Sequence, residues 1–235
     1  MKKAIFLFIS SWIFGLDYYI PPEILNDTFY EKIIDLSSRP TVKNILEIGS
    51  SCGEGSTSAF LRGISKNQSK PRLYCVEVSK TRFEILQSSY QNHPQISVYN
   101  VSSVPLRDFP KKKDVVNFYK KYDSRLRNYA LHDVLQWLEQ DIRYLTTSGV
   151  NQNGIETIKK ENGISCFDIV LIDGSEFTGE AELKYVYGAK YILLDDILAF
   201  KNYFNYKKLL KDCNYKLIAE DLDLRNGWAA FEKIE

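Results

Sequence analysis

ILEIGSSCGEGST, residues 45–57, is typical of a buried strand that runs directly into a glycine-rich loop and the start of a helix. Glycine at positions 49, 53 and 55 lets the backbone turn sharply and approach a ligand without a Cβ in between. Free N–H groups at the start of the following helix favour an anionic group, such as a pyrophosphate or a carboxylate. The stretch therefore predicts a ligand-binding loop at the end of the first strand.

Short apolar runs alternate with helical patterns along the rest of the chain, which is typical of a parallel sheet joined by crossover helices. Asn226-Gly227 between the last two runs predicts an antiparallel hairpin, and Thr28 with Glu31 predicts a capping box that opens the first helix. The fold class that follows is α/β, a three-layer Rossmann-like sheet that is mostly parallel and ends in an antiparallel C-terminal hairpin. The predicted strands are residues 44–48, 72–78, 96–101, 167–172, 191–194, 215–220 and 228–234, and the predicted helices are residues 28–38, 56–65, 80–90 and 202–211.

Residues 104–149 exceed the minimal repeat and predict a helical insertion between strands 3 and 4. Apolar residues recur there at helical spacing, at Val134, Leu135, Leu138, Ile142 and Leu145. Two interpretations are open: a helical pair packed on the edge of the sheet, or a cap over the active site that selects the substrate.

The composition is that of a soluble globular protein, with 235 residues, 44% apolar and 26% charged residues and a formal net charge of +1. The balanced charge gives no broad field toward nucleic acid, so nucleic acid is not expected as a partner. Four cysteines at wide spacings and only two histidines favour neither a zinc site nor a Ser-His-Asp triad. Reduced thiols are expected, which favours a cytoplasmic protein.

An apolar run at residues 4–16 follows Lys2 and Lys3 and resembles the core of a signal peptide. It is too short to span a bilayer, and no cleavage site of the A-x-A type follows. A helix packed on the domain or a peripheral membrane anchor is expected instead. The chain then divides into an N-terminal apolar segment, residues 1–22, and one domain, residues 23–235. A homodimer is compatible with this organisation.

Two acidic residues indicate which of the candidate ligands such a loop binds. Glu47, two positions before the first glycine, attracts the ammonium of an amino acid and repels a pyrophosphate, and no G-x-G-x-x-G is present. Glu77 follows strand 2 and stands 22 residues past Gly55, where a carboxylate can hold both ribose hydroxyls. Both features favour a ligand with an amino-acid end and a nucleoside end.

The run from Ile45 to Gly53 resembles motif I of class I S-adenosylmethionine-dependent methyltransferases, in particular the catechol and caffeoyl-CoA O-methyltransferase branch. The resemblance covers residues 42–101 and 167–235 and leaves out the insertion. It implies S-adenosylmethionine as cofactor and places an adenine-contacting serine at Ser102 or Ser103. The cofactor-binding residues that we predict are Glu47, Gly49, Ser50, Gly53, Gly55, Ser56, Glu77, Val78, Ser102 and Asp173.

Three carboxylates follow two neighbouring strands: Asp173 after strand 4, and Asp195 and Asp196 after strand 5. Like charges this close require a cation or a proton between them, and a hard divalent cation suits oxygen ligands. The resemblance also implies Mg²⁺ (Mn²⁺ being the alternative) at these positions, with Asp196 where the family has Asn. The alternative is that Asp173 orients substrate while the other two cap the next segment.

One position departs from that family. Catechol-type enzymes carry a lysine base three residues after the strand 4 Asp, and Glu176 stands there instead. Glu176 is either a proton acceptor with a raised pKa, a further ligand, or a surface residue. Asp173 and Glu176 are the predicted catalytic pair, and Asp223 and Arg225 near the hairpin are expected either to touch substrate or to form a plain turn.

Methyl transfer from a sulfonium needs no covalent nucleophile, which agrees with the lack of a triad. The predicted activity is metal-assisted O-methylation of a small molecule or sugar with vicinal oxygens. The alternatives are a cation-dependent, hydroxylase-like member of the same fold and a non-catalytic nucleotide-binding one. A nicotinamide-dependent oxidoreductase is disfavoured, because it would need a tighter glycine motif and a parallel final strand.

Overall fold

The computed structural model describes residues 21–234. In this part of the chain seven strands form one sheet in the order β3-β2-β1-β4-β5-β7-β6. The strands are β1 (Asn44–Ile48), β2 (Arg72–Val76), β3 (Ile96–Tyr99), β4 (Ile169–Ile172), β5 (Tyr191–Asp195), β6 (Tyr215–Asp221) and β7 (Trp228–Lys233). The helices are α1 (Thr28–Ser37), α2 (Ser56–Lys66), α3 (Lys80–Tyr90), α4 (Lys112–Lys121), α5 (Leu131–Thr147), α6 (Gly154–Asn162), α7 (Gly179–Val186) and α8 (Phe200–Leu209).

The pairing of the strands confirms the predicted fold class. Strands β1 to β5 are parallel, whereas β7 runs antiparallel to both β5 and β6. In the last parallel strand Asp195 pairs with Trp228, so the end of β5 lies beside the start of β7. The hairpin turn before β7 therefore lies at the same edge of the sheet as the carboxyl ends of the parallel strands.

The core lies on both faces of the sheet because the parallel strands are apolar on both faces. Leu46 and Ile48 of β1 pack into one layer, and Ile45 packs into the other. This alternation follows from the pleat of the strand, in which successive side chains point to opposite faces.

One helix cap and two helices differ from the prediction, whereas the predicted helix starts at residues 28, 56 and 80 match the structure. The capping box assigned to Thr28 is wrong, because Thr28 is already the first residue of α1 and the cap is Asp27, whose side chain accepts from the Tyr30 N–H at 2.8 Å. Helices α6 and α7 were not predicted at all. Each is short and opens with a glycine, which lowers helix propensity.

The insertion contains α4, α5 and two single 3-10 turns. Its apolar side chains form a third cluster, in which Phe118 and Val134 pack with Phe177 after β4 and Tyr203 of α8. The insertion is thereby held against the elements that follow β4 and β5. None of the helices within residues 21–234 is long and apolar enough to cross a membrane; the apolar run at residues 4–16 lies outside the described residues.

Candidate active site

A cavity of about 400 Å³ opens at the carboxyl ends of β1, β2 and β4. Loop residues 49–52 and 54–56 line one side, and Asp173 and Asp196, which follow β4 and β5, line another. Ligands of open α/β sheets sit at this edge, where the loops diverge from the strands. Each predicted site residue can therefore be placed relative to this one cavity.

Gly49 fixes the position of the loop. Its φ is +92°, and a Cβ there would lie 2.0 Å from the carbonyl oxygen of Asp173. The N–H groups of Gly49 and Ser50 donate to the carbonyl of Val76 at 3.0 and 3.1 Å. The loops after β1 and β4 consequently touch backbone to backbone, which brings the glycine loop beside Asp173.

Glu47 lies beneath the loop and not in the cavity. Its fully buried carboxylate accepts from the hydroxyls of Ser50 at 2.8 Å, Ser56 at 2.7 Å and Thr57 at 2.7 Å. Burial raises the pKa of Glu47. We expected Glu47 to face the ammonium of a ligand, but in the structure it faces these three hydroxyls. Their hydrogen bonds to the Glu47 carboxylate stabilise the loop.

Gly53 also stands outside the cavity lining. It has φ of +88°, and its carbonyl accepts from the Tyr90 hydroxyl at 2.8 Å. The other predicted glycines and serines of the loop, Gly49, Ser50, Gly55 and Ser56, do line the cavity.

Glu77 lies directly after β2 with its carboxylate at the cavity wall. It accepts from the backbone N–H groups of Ser51 at 2.9 Å and Ser79 at 2.7 Å, and Arg82 forms an ion pair with it at 3.2 Å. A carboxylate has about four acceptor positions, so this one retains capacity for a ligand hydroxyl. Val78 lines the cavity too, and its carbonyl accepts from the Tyr144 hydroxyl at 3.1 Å.

The two serines after β3 line the cavity but direct their protons into the protein. Ser102 donates to the carbonyl of Val104 at 2.7 Å, and Ser103 donates to Glu182 at 2.6 Å. Each hydroxyl therefore offers the cavity lone pairs rather than a proton.

The three predicted metal ligands lie together, with one oxygen from each of Asp173, Asp195 and Asp196 within 4.8 Å of the others. A lysine that the sequence analysis did not single out lies among them. The ammonium of Lys201 is 2.8 Å from Asp173 Oδ1 and 2.6 Å from Asp196 Oδ2. Arg225 approaches Asp195 Oδ1 at 3.3 Å. Two cationic side chains therefore neutralise this cluster.

Local backbone geometry holds Lys201 in place. Lys201 is the second residue of α8, and a Cβ on Gly179 would lie 2.1 Å from its carbonyl oxygen, so α7 and α8 begin in backbone contact. The Asn202 amide donates to the carbonyls of Ile172 at 2.9 Å and Asp195 at 2.7 Å. The start of α8 is thus tied to the ends of both β4 and β5.

Charge and burial set the protonation of the cluster. Burial, together with the neighbouring Asp173 and Asp196, raises the pKa of Asp195 well above its ordinary value. Burial also raises the pKa of Asp173, whereas at Asp196 the effect of burial is outweighed by Lys201, Asn226 and Arg225 together, which lower the pKa. Burial alone would lower the pKa of Lys201, but the adjacent carboxylates raise it well above its usual range, so its side chain is an ammonium.

No protein-family profile and no curated protein matches the sequence. Solved structures do match in fold. An O-methyltransferase from Bacillus cereus in complex with SAH has a TM-score of 0.51 at 15% identity, over 91% of this chain and 84% of that one. The O-methyltransferase TomG from Streptomyces achromogenes, which is involved in tomaymycin synthesis and was solved with SAM, has a TM-score of 0.52 at 12% identity, over 92% and 84%. A methyltransferase from Geobacter sulfurreducens has a TM-score of 0.51 at 10% identity, over 90% and 82%.

The chain has the methyltransferase fold. Within this fold, the cavity suits S-adenosylmethionine on two observations. The backbone of Gly49 lines the cavity beside Asp173, whose carbonyl leaves no room for a Cβ at Gly49, and Glu77 presents a carboxylate fixed by two backbone N–H groups. The first offers backbone contacts to the amino-acid end of a ligand, and the second is an acceptor for a ribose hydroxyl.

A divalent cation does not fit the acid cluster of this methyltransferase fold as it stands. Asp173 and Asp196 already bind the Lys201 ammonium, and the second oxygen of Asp196 accepts from Asn226 at 2.9 Å. Asp195 pairs with Arg225 and does not line the cavity. Magnesium prefers near-ideal octahedral oxygen coordination, which these occupied carboxylates do not offer.

Glu176 lies in the cavity wall and not on the outer surface. Its carboxylate accepts from the backbone N–H of Lys201 at 3.3 Å. Burial and the nearby Asp196 raise the pKa of Glu176 to about 7. A carboxyl group with this pKa can accept a proton near neutral pH.

The insertion supplies much of the remaining cavity wall. Leu126 and Tyr129 come from the stretch between α4 and α5, and Trp137, Asp141 and Tyr144 come from α5. Asp141 accepts from the Ser175 hydroxyl at 2.5 Å, and burial raises its pKa to about 6. Of the two interpretations left open by the sequence, this contact with the cavity favours a cap over the site.

The cavity residues that sequence reasoning missed include two charged ones at the acid cluster, Lys201 and Glu23. The signal for Lys201 was its position five residues after Asp196, at the predicted start of a helix at the same sheet edge. Glu23 offers no comparable pattern. It is held near the cluster because Arg225 donates to its carbonyl at 3.3 Å and also pairs with Asp27.

Proposed function

We propose that this chain is an S-adenosylmethionine-dependent methyltransferase that methylates an oxygen of a small molecule or sugar. The observation that carries the proposal is one cavity that joins the Gly49 loop and Glu77 to a second, charged end at Asp173, Glu176 and Lys201. A donor bound at the first end would share this cavity with an acceptor bound at the second. This is the arrangement that an in-line displacement needs.

The cofactor, when bound, supplies an electrophilic methyl group on a sulfonium. The residues around it position the cofactor and exclude water from this part of the cavity. Glu77 accepts from a ribose hydroxyl, the backbone at Gly49 contacts the amino-acid end, and Ser102 offers an oxygen to the adenine. Tyr144 and Leu145 of α5 cover this part of the cavity and exclude water.

At the charged end, Glu176 is the proton acceptor. On transfer, the acceptor oxygen would take the methyl group, the electron pair of the C–S bond would stay on sulfur, and the Glu176 carboxylate would accept the hydroxyl proton. Asp173 holds Lys201 and lines the same end, so its part is to position the acceptor. The sequence-based expectation of Mg²⁺ or Mn²⁺ is not carried into this proposal, because Lys201 already binds two of the acids.

The shape of the cavity supports a small acceptor. A volume of about 400 Å³ lies within the range of small-molecule sites. The insertion adds aromatic and apolar walls from Leu126, Tyr129 and Trp137, which suit the face of an aromatic ring or sugar. A covered cavity of this kind does not suit nucleic acid. A cytoplasmic location and a homodimer remain expectations.

The test is calorimetric titration with S-adenosylhomocysteine, with NAD⁺ as the comparison ligand. Micromolar binding of S-adenosylhomocysteine and none of NAD⁺ is expected. No binding at millimolar S-adenosylhomocysteine overturns the proposal. A screen of catechols, other phenols and sugars for methyl incorporation then identifies the acceptor, and Glu176→Gln should lower turnover about a hundredfold with binding of the cofactor unchanged.

A further inference from the structure

The buried ammonium of Lys201 occupies the centre of an acid cluster that the sequence assigns to a metal ion. We propose that this side chain takes the place of the divalent cation, so that the site holds its cofactor and acceptor without one. The inference deepens the proposed function and rests on it. It concerns residues that are in contact in the structure and requires no group that is absent from the chain.

The geometry of the contact carries the inference. Lys201 is 7% exposed and its ammonium reaches Asp173 and Asp196 at 2.8 and 2.6 Å, so both contacts are short and charge-assisted. Breaking such a buried pair would leave two carboxylates facing each other. A cation that displaced the lysine would therefore have to replace both contacts and also find room for the displaced ammonium.

The charges of the cluster point the same way. Arg225 lies at Asp195, the third acid, and its other nitrogen pairs with Asp27. A divalent cation added beside two fixed cationic side chains would be repelled by both. Two internal cations offset most of the negative charge of the three acids, so less of it is left to attract a divalent cation.

Backbone contacts with neighbouring residues also fix the position of Lys201. Gly179 touches the carbonyl of Lys201, and Asn202 bonds the ends of β4 and β5. An ammonium has three N–H donors, and two of them go to carboxylates of described residues. The side chain lines the cavity, so its remaining donor is available to an acceptor oxygen, which is what a bound cation would otherwise attract.

The experiment compares metal-stripped wild type, Lys201→Ala and Lys208→Ala. Lys208 lies on the same helix but is exposed and lies over Tyr187 at 5.4 Å, so its loss leaves the cluster intact. Each protein is treated with EDTA, desalted and melted with and without millimolar Mg²⁺ or Mn²⁺. Wild type and Lys208→Ala should show no shift in melting temperature. Lys201→Ala should gain a rise of about 5 °C when the metal exceeds its Kd a hundredfold.

Each outcome of this experiment either supports or overturns the inference. A metal-dependent rise in wild type overturns the inference, and so does a folded Lys201→Ala protein that gains no rise. Lys201→Gln, which keeps most of the side-chain packing, gives the second measurement if the alanine variant does not fold. Titration of wild type with S-adenosylhomocysteine in EDTA separates this inference from the proposed function: no binding with or without metal refutes the function alone, whereas binding that requires metal refutes the inference alone.

Discussion

Replacing Glu77 with glutamine tests the cofactor end of the cavity most directly. The carboxylate accepts from the N–H groups of Ser51 and Ser79 and pairs with Arg82. Glutamine keeps one acceptor oxygen but turns an NH₂ group toward a backbone donor and removes the charge. A hydrogen bond to a charged group contributes about 1.5–3 kcal/mol, so the Kd of S-adenosylhomocysteine should rise about tenfold to a hundredfold.

The assay has to separate a lost contact from a disturbed loop. Calorimetry with S-adenosylhomocysteine and with its 2′-deoxy analogue, on wild type and Glu77→Gln, forms a double-mutant cycle. If Glu77 accepts from the ribose hydroxyl, the substitution should weaken binding of the deoxy analogue much less. Glu84→Gln, an exposed substitution on α3, the helix that follows Glu77, is the control and should change neither Kd.

Two results would refute this reasoning. One is a Glu77→Gln protein that binds S-adenosylhomocysteine within about threefold of wild type. The other is an equal loss for both ligands, which would make Glu77 a support of the loop and not a ligand contact.

Three further predictions concern the loop, the charged end and the cap. Gly49→Ala should lower the free energy of unfolding by about 3 kcal/mol in urea and abolish cofactor binding, because its Cβ meets the Asp173 carbonyl at 2.0 Å with φ of +92°; an unchanged urea midpoint contradicts this. The pKa of Glu176, about 7 in the folded protein, lies above its ordinary value of 4.5, so the stability it contributes is present below pH 4.5 and is lost as the pH rises through 7. Glu176→Gln should therefore remove up to about 3 kcal/mol of the fall in unfolding free energy between pH 5 and 8, and a variant with the same pH profile as wild type argues against the raised pKa. Tyr144→Phe should lower the free energy of unfolding by about 1–2 kcal/mol and weaken S-adenosylhomocysteine binding, because the Tyr144 hydroxyl donates to the Val78 carbonyl and accepts from the Lys80 N–H at 3.0 Å. Tyr187→Phe on the outer surface is the control. Equal effects of the two substitutions on unfolding and on binding would contradict a role for the Tyr144 hydroxyl at the cavity.

The strands and the sheet edge at which they end were predictable because they rest on local patterns. Apolar runs ending in Gly49, Glu77 and Asp173 place these residues at one edge once the strands are parallel. A raised pKa was one of three interpretations of Glu176, beside a further ligand and a surface residue, and its position alone was needed to bring it to that edge.

The missed features depend on contacts between distant segments. Glu47 appears to face the ligand when only its distance from Gly49 is considered, but the hydroxyls of Ser56 and Thr57 reach it from the next helix. Lys201 enters the acid cluster because α8 begins against Gly179, a contact that no local pattern encodes. Sequence patterns located the acids, whereas the identity of their cation depended on tertiary packing.

The left-handed backbone at Asp196 has a consequence for which substitutions this position can accept over evolutionary time. Its φ is +56°, a left-handed conformation that glycine, asparagine and aspartate adopt at lower cost than other residues. A saturation library at this codon should therefore be enriched in these three residues and depleted in β-branched and bulky ones. Drift that keeps this backbone unstrained removes the charge, through asparagine or glycine, more readily than it lengthens the side chain or reverses its sign.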